Sequence, residues 1–162
     1  AEMLEVQDPE NLAYVTQTTL SVDDTVEIVK ILQRRFPTIE APRTEDICYA
    51  TTNRQAAVKD IANECDAIIV LGAPNSSNSN RLSEVALTIG CPKSALIQRA
   101  TDLDNSWLDD VETLGVTAGA SAPEVLVQEL ITALKHEYDV TIEERNIIDE
   151  NITFSLPRTL SA

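Results

Sequence analysis

The stretch Ala73-Pro74-Asn75-Ser76-Ser77-Asn78-Ser79-Asn80 crowds short, neutral hydrogen-bonding side chains directly behind an apolar run at 67–72 (Ala-Ile-Ile-Val-Leu-Gly). A helix is expected over 81–89. Backbone N–H groups and the positive end of a helix dipole would then meet these hydroxyls and amides at one point, a setting suited to an oxyanion such as phosphate. The plan occurs twice more. Ala13-Tyr14-Val15-Thr16 leads into Gln17-Thr18-Thr19-Leu20-Ser21, and Thr113-Leu114-Gly115-Val116-Thr117 leads into Ala118-Gly119-Ala120-Ser121-Ala122-Pro123, each followed by a helix. Ser21 and Ser121 also read as N-caps, so a hydroxyl at one junction says little, whereas three such junctions say more. In an open parallel sheet, ligands bind outside the carboxyl ends of the strands, where these junctions would converge.

Cys48 is the other residue with chemistry to offer, because it stands just before Thr51-Thr52-Asn53-Arg54 opens a helix. A positive helix end favours the thiolate, the form that attacks or binds metal. Cys65 and Cys91 instead precede apolar strands. In a parallel sheet that end lies about 16 Å from the junctions, at roughly 3.3 Å per residue over a five-residue strand. Both are therefore expected to be structural and to share no metal centre with Cys48. The three cysteines form no CxxC pair and no zinc spacing, and their odd number does not suggest a disulfide framework. His136 is the only histidine, which leaves no Ser-His-Asp or metal-histidine constellation. Its place in the last turn of a helix fits an interaction with the dipole, and Trp107 reads as a core anchor.

The elements that must position these groups follow from spacing. After a first strand at 13–16, Ser21 is a good N-cap with Asp24 as the acidic partner of a capping-box-like arrangement. Val26, Ile28, Val29, Ile31 and Leu32 then form a helical apolar face that ends near Arg34 and Arg35, before Phe36-Pro37. Residues 38–44 are a connector, and 55–63 read as a helix offering Ala56, Ala57, Val58, Ile61 and Ala62 for burial. Next come a strand at 67–72, a helix at 81–89, a strand at 94–98 and a short helix at 106–110. A strand at 113–117 and a helix capped by Ser121 and running to about His136 complete the series. Short apolar strands alternating with helices imply right-handed βαβ units, a parallel sheet and a three-layer α/β architecture. Residues 139–143 and 151–156 look like extended segments.

Composition excludes several classes. Apolar residues make up 43% of the 162, too many for general disorder. A net charge of -15, from 27 acidic against 12 basic residues, argues against nucleic-acid binding. No apolar stretch approaches the roughly 20 residues that span a bilayer, and no basic segment followed by an apolar one opens the chain. The expectation is a soluble cytoplasmic protein with no membrane or nucleic-acid partner. The polar opening that starts at Ala1 reads as a piece of something longer.

Read in order and at their spacing, residues 16–25, 46–55, 75–82 and 115–123 closely resemble the LytB-type 4-hydroxy-3-methylbut-2-enyl diphosphate reductases. These are iron-sulfur enzymes that end the non-mevalonate route to isoprenoids, and the match covers almost the whole chain. The resemblance implies a 4Fe-4S cluster held by three cysteines, with one iron left open for the substrate hydroxyl. Cys48 matches the last of the three ligands, and the other two lie outside this chain. Ser76, Asn78 and Ser121 match residues that bind the substrate diphosphate, and Ser77 belongs to the same loop. Thr18 and Thr19 match the threonine pair near the substrate hydroxyl. The implied reaction adds two electrons from ferredoxin, flavodoxin or a similar donor and removes the hydroxyl as water. Its products are isopentenyl and dimethylallyl diphosphates.

The resemblance also implies a trefoil-like architecture with its N-terminal part missing. Residues 1–43 would end the middle α/β unit, 44–137 would be the complete last unit, and 138–162 a tail returning to the first. On that basis the chain alone is expected to be inactive. The competing expectations are a non-catalytic diphosphate-binding module or one chain of a two-chain enzyme.

Overall fold

Every residue of β1 (Ala67–Leu71) is apolar and buried, as a strand covered on both faces requires. In this computed structural model, which describes residues 1–44 and 46–148, β1 is the centre of a parallel sheet. Its neighbours are β2 (Lys93–Ile97) and β3 (Leu114–Ala118), in the order β2-β1-β3. Ala67 pairs with Lys93 on one side and Leu114 on the other, so the carboxyl ends of all three strands are level.

Alternation along β1 divides the core into two layers. Ile68 and Val70 face α2 (Tyr49–Ile61) and α3 (Ser77–Ile89), packing with Val58, Leu82, Val85 and Cys91. Ile69 and Leu71 face the other way, onto Leu130 of α4 (Glu124–Glu137) and the partly buried Trp107. Helix, sheet and helix form the three layers expected from the strand and helix spacing. Trp107 is part of the core, with the Lys93 ammonium 5.8 Å from its ring centre.

The N-terminal region departs from the expected strand at 13–16. Its only ladder contact among the described residues is one parallel bridge, Ala13 with Glu40, closed by Tyr14 N to Glu40 O (3.1 Å) and Glu40 N to Leu12 O (2.8 Å). The expected connector thus supplies the pairing residue, while the Thr16 N–H turns away to the Asp46 carboxylate (2.7 Å). Helix α1 (Val22–Arg35) follows, and Ser21 caps it by accepting from Asp24 N (3.3 Å). No residue within it is buried, and Val26 and Ile28 remain 46% and 49% exposed, so its apolar face is only half covered among the described residues.

Three helix starts differ from expectation. Helix α2 begins at Tyr49, well before 55, because Cys48 takes the N-cap position and its carbonyl accepts from Thr51 N and Thr52 N. Helix α3 begins at Ser77, four residues before Arg81, with Ser76 as the N-cap accepting from Ser79 N. Small polar residues suit a loop and a helix start equally, which hid this boundary. Helix α4 is capped by Pro123 without a side-chain bond, so Ser121 does not cap it. Ser121 lies instead in a turn closed by Ala122 N to Gly119 O (2.9 Å). The short helix near Trp107 is a 3-10 turn, Asn105–Leu108. Residues 139–148 form no regular element, and the extended segment expected at 151–156 lies outside the described residues.

The level strand ends depend on a tie at the opposite edge. The Asp66 carboxylate accepts from Thr113 N (2.8 Å) and Glu112 N (3.0 Å), and these bonds hold its pKa below the ordinary aspartate range. A depressed folded pKa gives stability that is present above the unfolded value, about 3.9, and lost as pH falls through the folded one. Asp66→Ala should therefore lower the urea midpoint at pH 7, and its curve and the wild type's should converge in strong acid. Equal midpoints at pH 7 would contradict this role.

Candidate functional site

The first turn of α3 sits directly on the strand ends, and two glycines make the approach possible. A Cβ on Gly72 or on Gly119 would lie 2.2 Å from Ser79 Oγ, a distance no side chain tolerates. Gly119 N donates to Leu71 O (2.8 Å) and Gly72 N to Ile97 O (3.0 Å), so the chain after each strand stays tied to its neighbour. Ser79, 1% exposed, donates its hydroxyl to Ser76 Oγ (3.0 Å). Between these two serines, Asn78 is 6% exposed, and its side-chain nitrogen and oxygen are both buried with no partner among the described residues. Such a group costs about 1–3 kcal/mol relative to a satisfied one. At a helix N-terminus, an unsatisfied donor of this kind is suited to a ligand oxygen.

The first junction reaches this point. Thr19 Oγ1 donates to Ser77 Oγ (2.9 Å), and Thr18 O accepts from Cys48 N (3.1 Å). The structure therefore brings Thr18, Thr19, Ser76, Ser77, Asn78 and Cys48 into one connected region at the carboxyl edge of the sheet. Ser121 lies two residues beyond Gly119 on the third junction. It is exposed, and its hydroxyl makes no hydrogen bond among the described residues.

Cys48 is exposed, and its thiol accepts no helix N–H, which leaves the sulfur uncommitted at the positive end of α2. Cys65 and Cys91 precede β1 and β2 in the core layer, as expected for structural residues. Burial, followed by the neighbouring Cys91, pushes the Cys65 thiol pKa up, and Cys91 Sγ lies 3.1 Å from Lys93 O as a donor. No group of three histidine, cysteine or acidic side chains among the described residues could hold a metal ion. His136 is well exposed and pairs with Glu137 Oε1 (2.9 Å). A cavity of about 280 Å³ near the end of α4, beside Leu103 and Tyr138, contains none of the junction residues.

Several residues that build the region carry no local signal in the sequence. Asp46 receives Thr16, Arg54 Nε donates to Ala118 O (3.0 Å), and the buried Gln55 bonds both Leu20 O (2.8 Å) and Val22 N (3.0 Å). All three lie within 46–55, one of the four stretches that carry the resemblance, which is the one cue available beforehand. Among the described residues no helix is long and apolar enough to cross a membrane.

The chain matches the family model described as LytB protein over residues 1–135. It is 59% identical over 157 residues to the 4-hydroxy-3-methylbut-2-enyl diphosphate reductase of Roseobacter denitrificans, covering 97% of this chain and 50% of that protein. It is also 59% identical over 161 residues to the same enzyme of Gluconobacter oxydans, covering 99% and 48%. The solved structure of the E-1-hydroxy-2-methyl-but-2-enyl-4-diphosphate reductase from Plasmodium falciparum superimposes with a TM-score of 0.76 at 39% identity, over 82% of this chain and 42% of that one. A second structure, of (E)-4-hydroxy-3-methyl-but-2-enyl diphosphate reductase, the terminal enzyme of the non-mevalonate pathway, gives 0.53 at 29% identity, over 78% and 44%. The chain thus spans about half the length of the curated relatives it matches.

The seating of α3 can be tested by crowding it. Gly119→Ala should destabilise the chain by about 1–3 kcal/mol, the usual cost of overpacking. Adding Ser79→Ala should recover most of the loss, because the other Ser79 atom near that position, Cβ, is 3.4 Å away. Additive losses in a denaturant-melting cycle would contradict the contact.

Proposed function

This chain belongs to the LytB protein family, and on that premise we propose that it forms the diphosphate-holding and single-thiolate part of a 4-hydroxy-3-methylbut-2-enyl diphosphate reductase. The observation that carries the proposal is the buried Asn78 amide, between Ser76 and Ser79 at the start of α3, which has no partner among the described residues. In the same reading, residues 1–43 end a middle α/β unit, 44–137 are the last unit and 138–162 reach the first. The whole works in the cytoplasm.

The chain's own residues account for binding and orientation. Asn78 Nδ2, the hydroxyls of Ser76 and Ser77 and the free N–H groups of the α3 first turn can donate to diphosphate oxygens, with Ser121 reaching in from the third junction. Hydrogen bonds to charged groups contribute about 1.5–3 kcal/mol each, so neutral donors suffice for tight capture. Thr19, already bonded to Ser77, and its neighbour Thr18 place two hydroxyls beside the anion, where the substrate's own hydroxyl would lie.

Cys48 fits a cluster ligand, being an exposed thiol at a helix start with no competing bond among the described residues. It fits as one ligand only, and the two remaining thiolates would come from outside this chain. When bound, a 4Fe-4S cluster would pass two electrons from a ferredoxin- or flavodoxin-like donor, so that substrate, two electrons and two protons give water and isopentenyl or dimethylallyl diphosphate. The absence of a three-ligand metal group among the described residues favours a second reading for the chain by itself, a diphosphate-binding module or one chain of a two-chain enzyme.

Asn78→Leu separates binding from folding. It removes an unsatisfied buried amide and should raise the thermal midpoint of the free chain, by an amount equivalent to about 1 kcal/mol. It should also weaken inorganic diphosphate binding, followed by calorimetry, at least tenfold, about 1.4 kcal/mol. Unchanged affinity would remove the site from the start of α3.

A further inference from the structure

The segment 18–22 carries the two threonines, and helix α2 grips it at both ends. At one end the backbone N–H of Cys48 donates to Thr18 O (3.1 Å). At the other, Gln55 accepts from Val22 N with Oε1 (3.0 Å) and donates to Leu20 O with Nε2 (2.8 Å). Cys48 and Gln55 are seven residues apart, about 10 Å along the helix at 1.5 Å per residue. The segment therefore lies along α2 as a strap fastened at two points.

Gln55 is 1% exposed, and both ends of its amide are satisfied by backbone groups on either side of Ser21, the N-cap of α1. A second contact leaves α2 one residue earlier, where Arg54 fixes the end of β3 through Ala118 O (3.0 Å). The diphosphate-binding turn of α3 is seated separately, by Ser79 against Gly72 and Gly119. The two halves of the site thus have different supports and meet at the bond between Thr19 and Ser77.

We propose that Gln55 is a positioning residue that fixes the Thr18 and Thr19 hydroxyls relative to the Cys48 sulfur, without touching substrate itself. The inference rests on the reductase reading for its kinetic consequence, and on the hydrogen bonds alone for its structural one. Methionine has nearly the volume of glutamine and neither amide group. Gln55→Met releases the segment while filling the space, and leaves the α3 turn in place.

The test uses the full-length protein with its cluster, comparing wild type, Gln55→Met and Val58→Ala. Val58 is a fully buried residue of the same helix that packs away from the segment, so its truncation reports the effect of lost stability alone. Gln55→Met should lower kcat at least tenfold with KM changed less than about threefold, whereas Val58→Ala, at an equal or larger loss of thermal midpoint, should keep kcat within about twofold. In the same samples, amide hydrogen exchange at Val22 and Cys48 should accelerate in Gln55→Met, while that of residues 79 and 80 stays as in the wild type. If Gln55→Met loses no more kcat than Val58→Ala, or if exchange at Val22 and Cys48 is unchanged, the positioning role is overturned. If wild type itself does not turn over 4-hydroxy-3-methylbut-2-enyl diphosphate, the reductase reading falls, and the exchange comparison still decides whether Gln55 holds the segment.

Discussion

Ser79 pressed between Gly72 and Gly119 is the constraint on which the arrangement at the sheet edge depends. A parallel sheet with level strand ends offers a flat edge, and a helix can bring its N–H groups to that edge only if nothing projects from the strands' last turns. Two glycines remove the obstacle, and a buried serine fills the space they leave. Because α3 sits so close, its second residue, Asn78, is driven into the interior, where its amide has no partner among the described residues. A protein selected for stability alone would place an apolar side chain there. Retaining an uncompensated polar group costs free energy, and that cost is understandable where a ligand completes the bonds.

Around this fixed turn, α2 organises the remainder. Its N-cap presents Cys48 with an uncommitted sulfur, and residues 54 and 55 hold the ends of the third and first junctions. One helix thereby sets the thiol, the threonine pair and the β3 turn in a common frame. The division is physically sensible. In the proposed reading, anion capture would rely on the seating of α3, whereas the relation between thiol and hydroxyls would rely on hydrogen bonds from a buried amide. The first depends on close steric fit and the second on the length of a hydrogen bond.

Much of this was legible in the sequence because the signals were local. The five apolar residues of β1, the caps of Ser21 and the polar character of the junctions are properties of contiguous residues, and they survive folding. Helix starts were less legible. Ser77 to Asn80 read as loop because serine and asparagine serve loops and first turns alike, and α2 starts at Tyr49, ahead of the threonines expected to open it, with no side-chain cap to mark the boundary. The strand at 13–16 shrank to a single bridge because its backbone partner is one residue of the connector and its next N–H goes to Asp46. Gln55, Arg54 and Asp46 bond residues 30 or more positions away, and no local pattern announces such partners.

If the proposed site is right, an anion completes the bonds of Asn78. The most direct measurement is a titration of the isotope-labelled chain with inorganic diphosphate, followed through the side-chain amide resonances of Asn78 and the backbone amides of residues 76–79. Saturable shifts are expected at Asn78 and in that turn, together with slowed exchange of the Asn78 amide protons. Shifts confined to exposed, ion-paired cations such as Arg99 and Arg145, with Asn78 silent, would contradict the proposed site.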